Sequence, residues 1–207
     1  MILCDIGNHS ANFFQDGKNW SLNHEDFMNY KTEETIYYIC VNEKISHKLK
    51  DVKNFVNIES YLELDTIYQG MGIDRVAACS AISDGMIVDA GSAITVDIMS
   101  NSLHLGGFIL PGLAAYEKCY GQISEKLSVR LKPNIDLEAL PQKTVDAISY
   151  GIIKPIIMIL KDLCKDKTIY FTGGDGKFFS KYFENSIYDG TLIFRGMEKA
   201  ISHKISS

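Results

Sequence analysis

Two short stretches of the chain repeat one pattern. Ile2-Leu3-Cys4-Asp5-Ile6-Gly7-Asn8 and Ile87-Val88-Asp89-Ala90-Gly91-Ser92 each run an apolar, strand-like segment into Asp, one further residue, Gly and a small polar residue. A β-prone segment follows each copy, Ala11 to Gln15 and Ala93 to Met99, so the sequence predicts two Asp-turn-hairpin units. Duplication of one fold is the economical reading, and no shorter repeat of the solenoid kind accompanies it. Strand-like segments come first in each half and helical segments follow, which predicts an α/β chain. Its two lobes are read as residues 1–84 and 85–207, divided near Ser83-Asp84-Gly85, with the C-terminal helix able to pack back on the first lobe.

Between these units, Ile36 to Val41 and Phe55 to Ile58 read as buried strands around a helix-compatible stretch, Asn42 to Lys50. Asp74 to Ser83 reads as a helix, Leu103 to Leu110 as a strand, and Gly112 to Ile123 as a helix whose start tolerates Pro111. Thr144 to Leu163 predicts a long helix capped by Thr144 or a neighbour and bent at Pro155. Thr168 to Phe171 then reads as a strand, Thr172-Gly173-Gly174-Asp175-Gly176 as a turn, and Thr191 to Ile205 as a last helix.

Charge and cysteine usage remove several classes of function. The 21 Lys and Arg are spread thinly against 26 Asp and Glu, and the net charge of -5 argues against a nucleic-acid partner. A small anionic ligand stays compatible, held by backbone N–H groups, a bound cation or one Arg. Cys4, Cys40, Cys79, Cys119 and Cys164 contain no C-x-x-C pair and read as free thiols of a reducing compartment. Met1 to Leu3 runs into Asp5 without a signal-like segment, and no apolar run is long enough for a bilayer. The expectation is a cytoplasmic chain with no membrane partner.

An Asp closing a buried strand before a Gly turn suits phosphate chemistry. The carboxylate can hold a cation directly or through water, and glycine lets backbone N–H groups approach phosphate oxygens without a Cβ between them. One D-x-G-N alone is also an ordinary tight turn. Two opposed copies define a cleft between two lobes.

Four motifs then occur in a telling order: Asp5-Ile6-Gly7-Asn8, Gly72-Ile73-Asp74-Arg75, Asp89-Ala90-Gly91-Ser92-Ala93-Ile94-Thr95-Val96-Asp97 and Gly106-Gly107-Phe108-Ile109-Leu110-Pro111-Gly112. In this the chain resembles the type III pantothenate kinases from residue 2 to about residue 176. The resemblance implies a duplicated ribonuclease H-like, actin-like ATPase fold with an interlobe cleft. It also implies ATP-dependent phosphorylation of pantothenate, the first step of coenzyme A biosynthesis, with Mg2+ and a monovalent cation, K+ or NH4+, in a homodimer.

By the same resemblance Asp5, Ile6, Gly7, Asn8, His9, Ser10, Ala11 and Asn12 form the ATP phosphate loop, with Asp5 near the magnesium. Ser92 contacts ATP where the family usually has threonine, and Asp89 ligates the monovalent cation. Gly72, Ile73, Asp74 and Arg75 contact pantothenate, with Asp74 as acceptor of the hydroxyl proton and Arg75 holding the carboxylate through its planar fork. Tyr68 and Thr144 are further substrate contacts, and Thr172-Gly173-Gly174 resembles a nucleotide-side turn. His9 stands where the family has threonine or serine, and Lys143 where it often has asparagine.

The physical logic for Asp74 is independent of the likeness. Phosphoryl transfer asks mainly for positioning and charge neutralisation, and one carboxylate beside the attacking hydroxyl accepts its proton. The residues by themselves also admit Asp74 as a helix cap with Arg75 in a surface ion pair, Thr144 as a cap, Tyr68 as a packing residue, and Gly106, Gly107, Gly112, Gly173 and Gly174 as turn residues. His9, His24, His47, His104 and His203 lack metal-ligand spacing, and Cys79 and Cys119 lack a recognisable catalytic partner. For function, the alternatives are a kinase of the same fold with another small hydroxylated or acidic substrate, or a non-catalytic nucleotide-binding regulator.

Overall fold

The computed structural model describes residues 1–206. Its contacts divide it into two compact units, one of Met1–Asp84, Asp97–Gly106 and the segment from Gly190 onward, the other of Gly85–Val96 and Gly107–Asp189.

The first unit is built on β1 (Ile2–Ile6), an unbroken apolar run around Asp5 that is buried along its whole length. β2 (Ser10–Gln15) returns antiparallel to it, with Asp5 opposite Asn12, and β3 (Lys18–Asn23) returns antiparallel to β2. Asp16 and Gly17 join β2 to β3 with φ of 49° and 80°, the left-handed pair that a two-residue hairpin turn requires. Asn23 caps α1 (His24–Asn29) by accepting from Asp26 N–H, and Asn42 caps α2 (Glu43–Leu49) in the same way. Between and after them, β4 (Ile36–Cys40) runs parallel to β1 and β5 (Phe55–Asn57) parallel to β4. The sheet order is β3-β2-β1-β4-β5. β6 (Asp65–Thr66) and α3 (Ile73–Ser80) follow.

The chain then repeats the plan. β7 (Gly85–Ala90) is the apolar central strand, β8 (Ala93–Ser100) and β9 (Leu103–Pro111) follow as the hairpin, and Asn101 and Ser102 turn the corner at φ of 51° and 66°. α4 (Leu113–Ile123) and α5 (Thr144–Cys164) precede β10 (Ile169–Thr172), which is parallel to β7. α6 (Gly176–Ser180) leads to β11 (Ser186–Tyr188), parallel to β10, and α7 (Leu192–Ser206) ends the description. The second sheet reads β11-β10-β7-β8-β9-β6. Except for β6 on its outer edge it is the order of the first sheet, so the duplication expected from the Asp-x-Gly echo is present as topology.

Two local expectations need correction. Thr144 is the first residue of α5 and does not cap it; the cap position is Lys143, which supplies no side-chain bond. Pro111 is the last residue of β9, and the cap position of α4 is Gly112.

Each unit buries its own core. In the second, Ile148, Ile152, Ile156 and Leu160 of α5 recur at helical spacing and pack against Met86, Val88 and Phe171 of the sheet. In the first, Ile2, Cys4, Ile6 and Phe13 pack on Phe27, Ile36 and Tyr38, while Leu3 and Ile39 face Ala77 of α3 and Phe194, Met197 and Ile201 of α7. Helices α3 and α7 approach closely: a Cβ added at Gly196 would collide with the backbone of Ala77. A 15-residue helix is marginal alone in water, so α7 owes its stability to this apolar face.

Candidate active site

In the first unit Asp5 lies near the end of β1 and is only 7% exposed. The turn after it is fixed from three sides: Gly7 N–H donates to Ser10 carbonyl at 2.9 Å, Val41 N–H donates to Ile6 carbonyl at 3.0 Å, and His24 Nε2 lies 3.0 Å from the Gly7 carbonyl, where it must donate. Asn8 and His9 are exposed at the tip, and Ser10 and Asn12 are half-buried. Ile6 and Ala11 point into the core, which leaves them only backbone groups to offer a ligand.

Gly72, Ile73, Asp74 and Arg75 open α3. Asp74 Oδ1 accepts from Arg75 N–H at 2.8 Å, one of the donors that a first helical turn leaves unpaired, and the helix dipole favours a carboxylate there. A Cβ on Gly72 would stand 2.5 Å from Asp74 Oδ1, so glycine is what lets the carboxylate keep this place. Asp74 therefore does serve the helix start, by a contact that leaves Oδ2 uninvolved.

Arg75 is not in a surface ion pair. It is 5% exposed, and its guanidinium engages Asp97, 1% exposed, at two points: Nε to Oδ2 at 2.9 Å and Nη2 to Oδ1 at 2.6 Å. Nη1 faces the Tyr68 hydroxyl at 3.4 Å, and the guanidinium carbon sits 4.8 Å from the centre of the Tyr68 ring. Burial pulls the Arg75 pKa down, but the bonds to Asp97 and Tyr68 outweigh it and the net shift is upward. Tyr68, Gly72, Ile73, Asp74 and Arg75 are thus brought together, and the two-point partner of the arginine fork is Asp97.

His104 completes this cluster, with Nε2 2.8 Å from Asp97 Oδ1 and Nδ1 2.7 Å from Thr66 Oγ1. Cys79 lies beside it, its sulfur within 4.8 Å of the Asp97 and His104 donor atoms. Burial first, then the Asp97 charge, pushes the Cys79 thiol up, partly offset by Arg75, so it stays protonated. Asp97 is committed to Arg75 and His104, and His104 to Thr66, so two of these three donors are engaged with protein groups.

In the second unit Asp89 lies near the end of β7, opposite Thr172. Gly91 N–H donates to Ala93 carbonyl at 2.9 Å, the counterpart of the Gly7 turn, and Ser92 is exposed at its tip. Two further segments close on this turn. Gly112 N–H donates to Ser92 carbonyl at 3.2 Å, and a Cβ at Gly112 would collide with the carbonyls of Gly91 and Ser92. Asp175 N–H donates to Ala90 carbonyl at 2.9 Å, and Gly173, at φ +78°, has no space for a Cβ beside Asp89 Oδ1 and Ala90 carbonyl. Gly112 is required by close approach alone, and Gly173 by close approach as well as by turning. Thr144 is exposed at the start of α5.

Asp97, His104, Thr66 and His24 received no role from the sequence. Asp97 is inside a quoted motif, and His104 is the inward-facing residue of β9 between the exposed Leu103 and Leu105, a polar side chain where alternation calls for an apolar one. That inversion was the available signal. Thr66 and His24 carry none.

A family profile described as type III pantothenate kinase matches residues 45–166. A type III pantothenate kinase of Campylobacter jejuni is 56% identical over 201 residues, which covers 97% of this chain and 96% of that protein. The chain belongs to the type III pantothenate kinase family. A solved Campylobacter jejuni structure, described as a conserved Baf family transcriptional activator, superposes with a TM-score of 0.93 at 53% identity and 100% coverage of both chains. The ethanolamine utilization protein EutJ of Carboxydothermus hydrogenoformans shares the fold at a TM-score of 0.52 and 13% identity, over 94% of this chain and 87% of that one. The fold of this type III pantothenate kinase family member is accordingly the duplicated actin-like ATPase fold.

Proposed function

We propose that this chain transfers the terminal phosphoryl group of ATP to the hydroxyl of pantothenate, giving 4'-phosphopantothenate in the first step of coenzyme A biosynthesis. The observation that carries the reading is the 56% identity, over nearly the full length of both chains, to a protein of that name. The paired Asp-glycine turns and the Gly72–Arg75 cluster support it.

In this reading residues 5–12 receive the phosphates, through the backbone at Ile6, Gly7 and Ala11 and through side chains at Asn8, His9, Ser10 and Asn12. Ser92 and Gly173 face the nucleotide. Asp74 accepts the proton of the attacking hydroxyl as the new P–O bond forms. Arg75 offers the substrate carboxylate its Nη1 side, since Asp97 occupies the other edge, and Tyr68 and Thr144 complete the substrate contacts. Oxygen donors at glycine turns suit hard cations, so Asp5 would serve Mg2+ and Asp89 K+ or NH4+, which supply charge neutralisation on the phosphates.

The lobes are read as residues 1–84 and 85–207, and the packing of α7 on α3 supports the last helix belonging with the first lobe. A homodimer is supported by the exposed apolar side chains Ile123, Met158 and Ile159 of the second unit. No helix of the described residues is long and apolar enough to cross a membrane.

The test is pantothenate-dependent ADP release by wild type and Asp74→Asn, with Mg2+ and ATP, in K+ or NH4+ and in Na+ alone. Turnover that needs the monovalent cation and drops by about 10²- to 10⁴-fold in the variant is expected. Absence of pantothenate-dependent ADP release from the wild type under every cation would overturn the reading.

A further inference from the structure

One chain of hydrogen bonds in the first unit closes on itself. Tyr68 N–H donates to Thr66 Oγ1 at 3.0 Å, Thr66 Oγ1 is 2.7 Å from His104 Nδ1, and His104 Nε2 is 2.8 Å from Asp97 Oδ1. Asp97 accepts twice from Arg75, and Arg75 Nη1 returns to the Tyr68 hydroxyl. The circuit therefore begins at the backbone of Tyr68 and ends on its side chain, with the His104 ring packed edge-on to the Tyr68 ring at 5.9 Å.

With a neutral His104 ring its proton roles are mutually consistent in one way. A carboxylate can only accept, so His104 donates through Nε2. With the one proton of the neutral ring on Nε2, Nδ1 is the acceptor and takes the Thr66 hydroxyl proton, while Thr66 Oγ1 accepts from Tyr68 N–H. What brings the partners together is the register of β6 on β9, which sets Thr66 opposite His104.

The segment that carries Tyr68 needs such a fixture. It follows a strand of only two residues, and its neighbour Ile67 is 96% exposed. Gly70 adds a left-handed turn at φ +73° before α3 begins. Little local packing fixes it, so without the circuit the cost of ordering Tyr68 and Arg75 would fall on ligand binding.

We infer that Thr66 and His104 are positioning residues of the substrate pocket, holding the Arg75 guanidinium and the Tyr68 ring in one arrangement through Asp97. The inference rests on the reading of Tyr68 and Arg75 as pantothenate contacts. Neither Thr66 nor His104 touches substrate in it.

Thr66→Val keeps the shape of the side chain and removes only the hydroxyl, and Thr66→Ser restores it. Thr66→Val should raise the KM for pantothenate about tenfold, as expected for loss of one buried hydrogen bond in a charged network, with Thr66→Ser near wild type. The KM for ATP and kcat should stay within about twofold, since a general loss of folded protein would not single out one substrate. Combined with Tyr68→Phe, which opens the same circuit at its other end, Thr66→Val should add much less than its separate effect. An unchanged KM for pantothenate, equal losses toward both substrates, or full additivity with Tyr68→Phe each overturn the inference. Nitrogen-15 spectra of the wild-type ring read the circuit without turnover: Nε2 protonated and Nδ1 bare, with Nδ1 shifting in Thr66→Val, supports it, and a proton on Nδ1 overturns it. Failure of the wild type to phosphorylate pantothenate would refute the functional reading separately.

Discussion

Asp97→Asn should destabilise the first unit far more than its single-atom change suggests. The carboxylate is 1% exposed and accepts three bonds, two from Arg75 and one from His104. Asparagine keeps the shape and one accepting oxygen, but it turns an NH2 toward a guanidinium donor and leaves the buried Arg75 charge without its counter-charge. Breaking a buried pair from one side in this way costs about 3–5 kcal/mol. For a chain of this length about 1 kcal/mol moves Tm by 2–4 °C, so the expected drop is on the order of 10 °C. Scanning calorimetry at neutral pH measures it, and a second variant isolates the cause. Adding Arg75→Leu to Asp97→Asn removes the stranded charge and should return at least about half of the lost stability, because a buried pair replaced from both sides is close to neutral. A drop under about 3 °C, or a double variant no more stable than Asp97→Asn alone, would refute the argument that an uncompensated charge is what costs.

Two further outcomes are expected. Burial first, and nearby Asp5 or Asp97 second, push the Cys4 and Cys79 thiols up, whereas Cys119 is exposed; iodoacetamide at pH 8 should therefore modify Cys119 in the native protein and reach Cys4 and Cys79 only after denaturant, as read by peptide mass spectrometry. Burial, with a smaller contribution from Glu117, raises the Asp175 carboxyl. Its folded pKa lies above the unfolded value, so the folded state binds the proton more tightly and Asp175 reduces stability progressively as pH rises from the ordinary carboxylate range through the folded pKa. Asp175→Asn should lack that decline, and urea midpoints of both proteins from pH 3.5 to about 7 should diverge upward in its favour.

The central strands were legible because each is an apolar run broken by one Asp and stopped by a glycine, a pattern in which period and punctuation agree. The β2–β3 turn and β3 itself went unread, although Asp16-Gly17 is a strong hairpin signal, because β3 alternates weakly, with only Trp20 and Leu22 directed inward. β6 and β11 are too short to carry a period of their own, and their pairing is decided by the strands they join. At the site, the sequence offered Gly112 and Gly173 as turn residues and Gly72 as a substrate contact, and the structure adds what approaches each: Asp74 at Gly72, Asp89 at Gly173, the Ser92 turn at Gly112. The Arg75–Asp97 pairing was not legible, since the partners stand 22 positions apart on α3 and β8, with β7 between them, and an Arg has no periodic reason to face inward.

The first unit is discontinuous in the chain, and this governs how a ribosome can make it. Leu3 and Ile39 are among the first core residues to emerge, yet Phe194, Met197 and Ile201, which cover them, are among the last. At a synthesis rate of 5–20 residues per second the interval between Leu3 and Phe194 is about 10–40 s. Throughout it the underside of the first sheet and the inner face of α3 are apolar surface without their final covering. The second unit suffers no such delay, because its sheet and α5 are complete before α7 is made. The nascent chain should therefore finish in reverse, with its later-encoded unit folded first and its earliest strands awaiting the final helix as a natural client for a holdase at the exit tunnel.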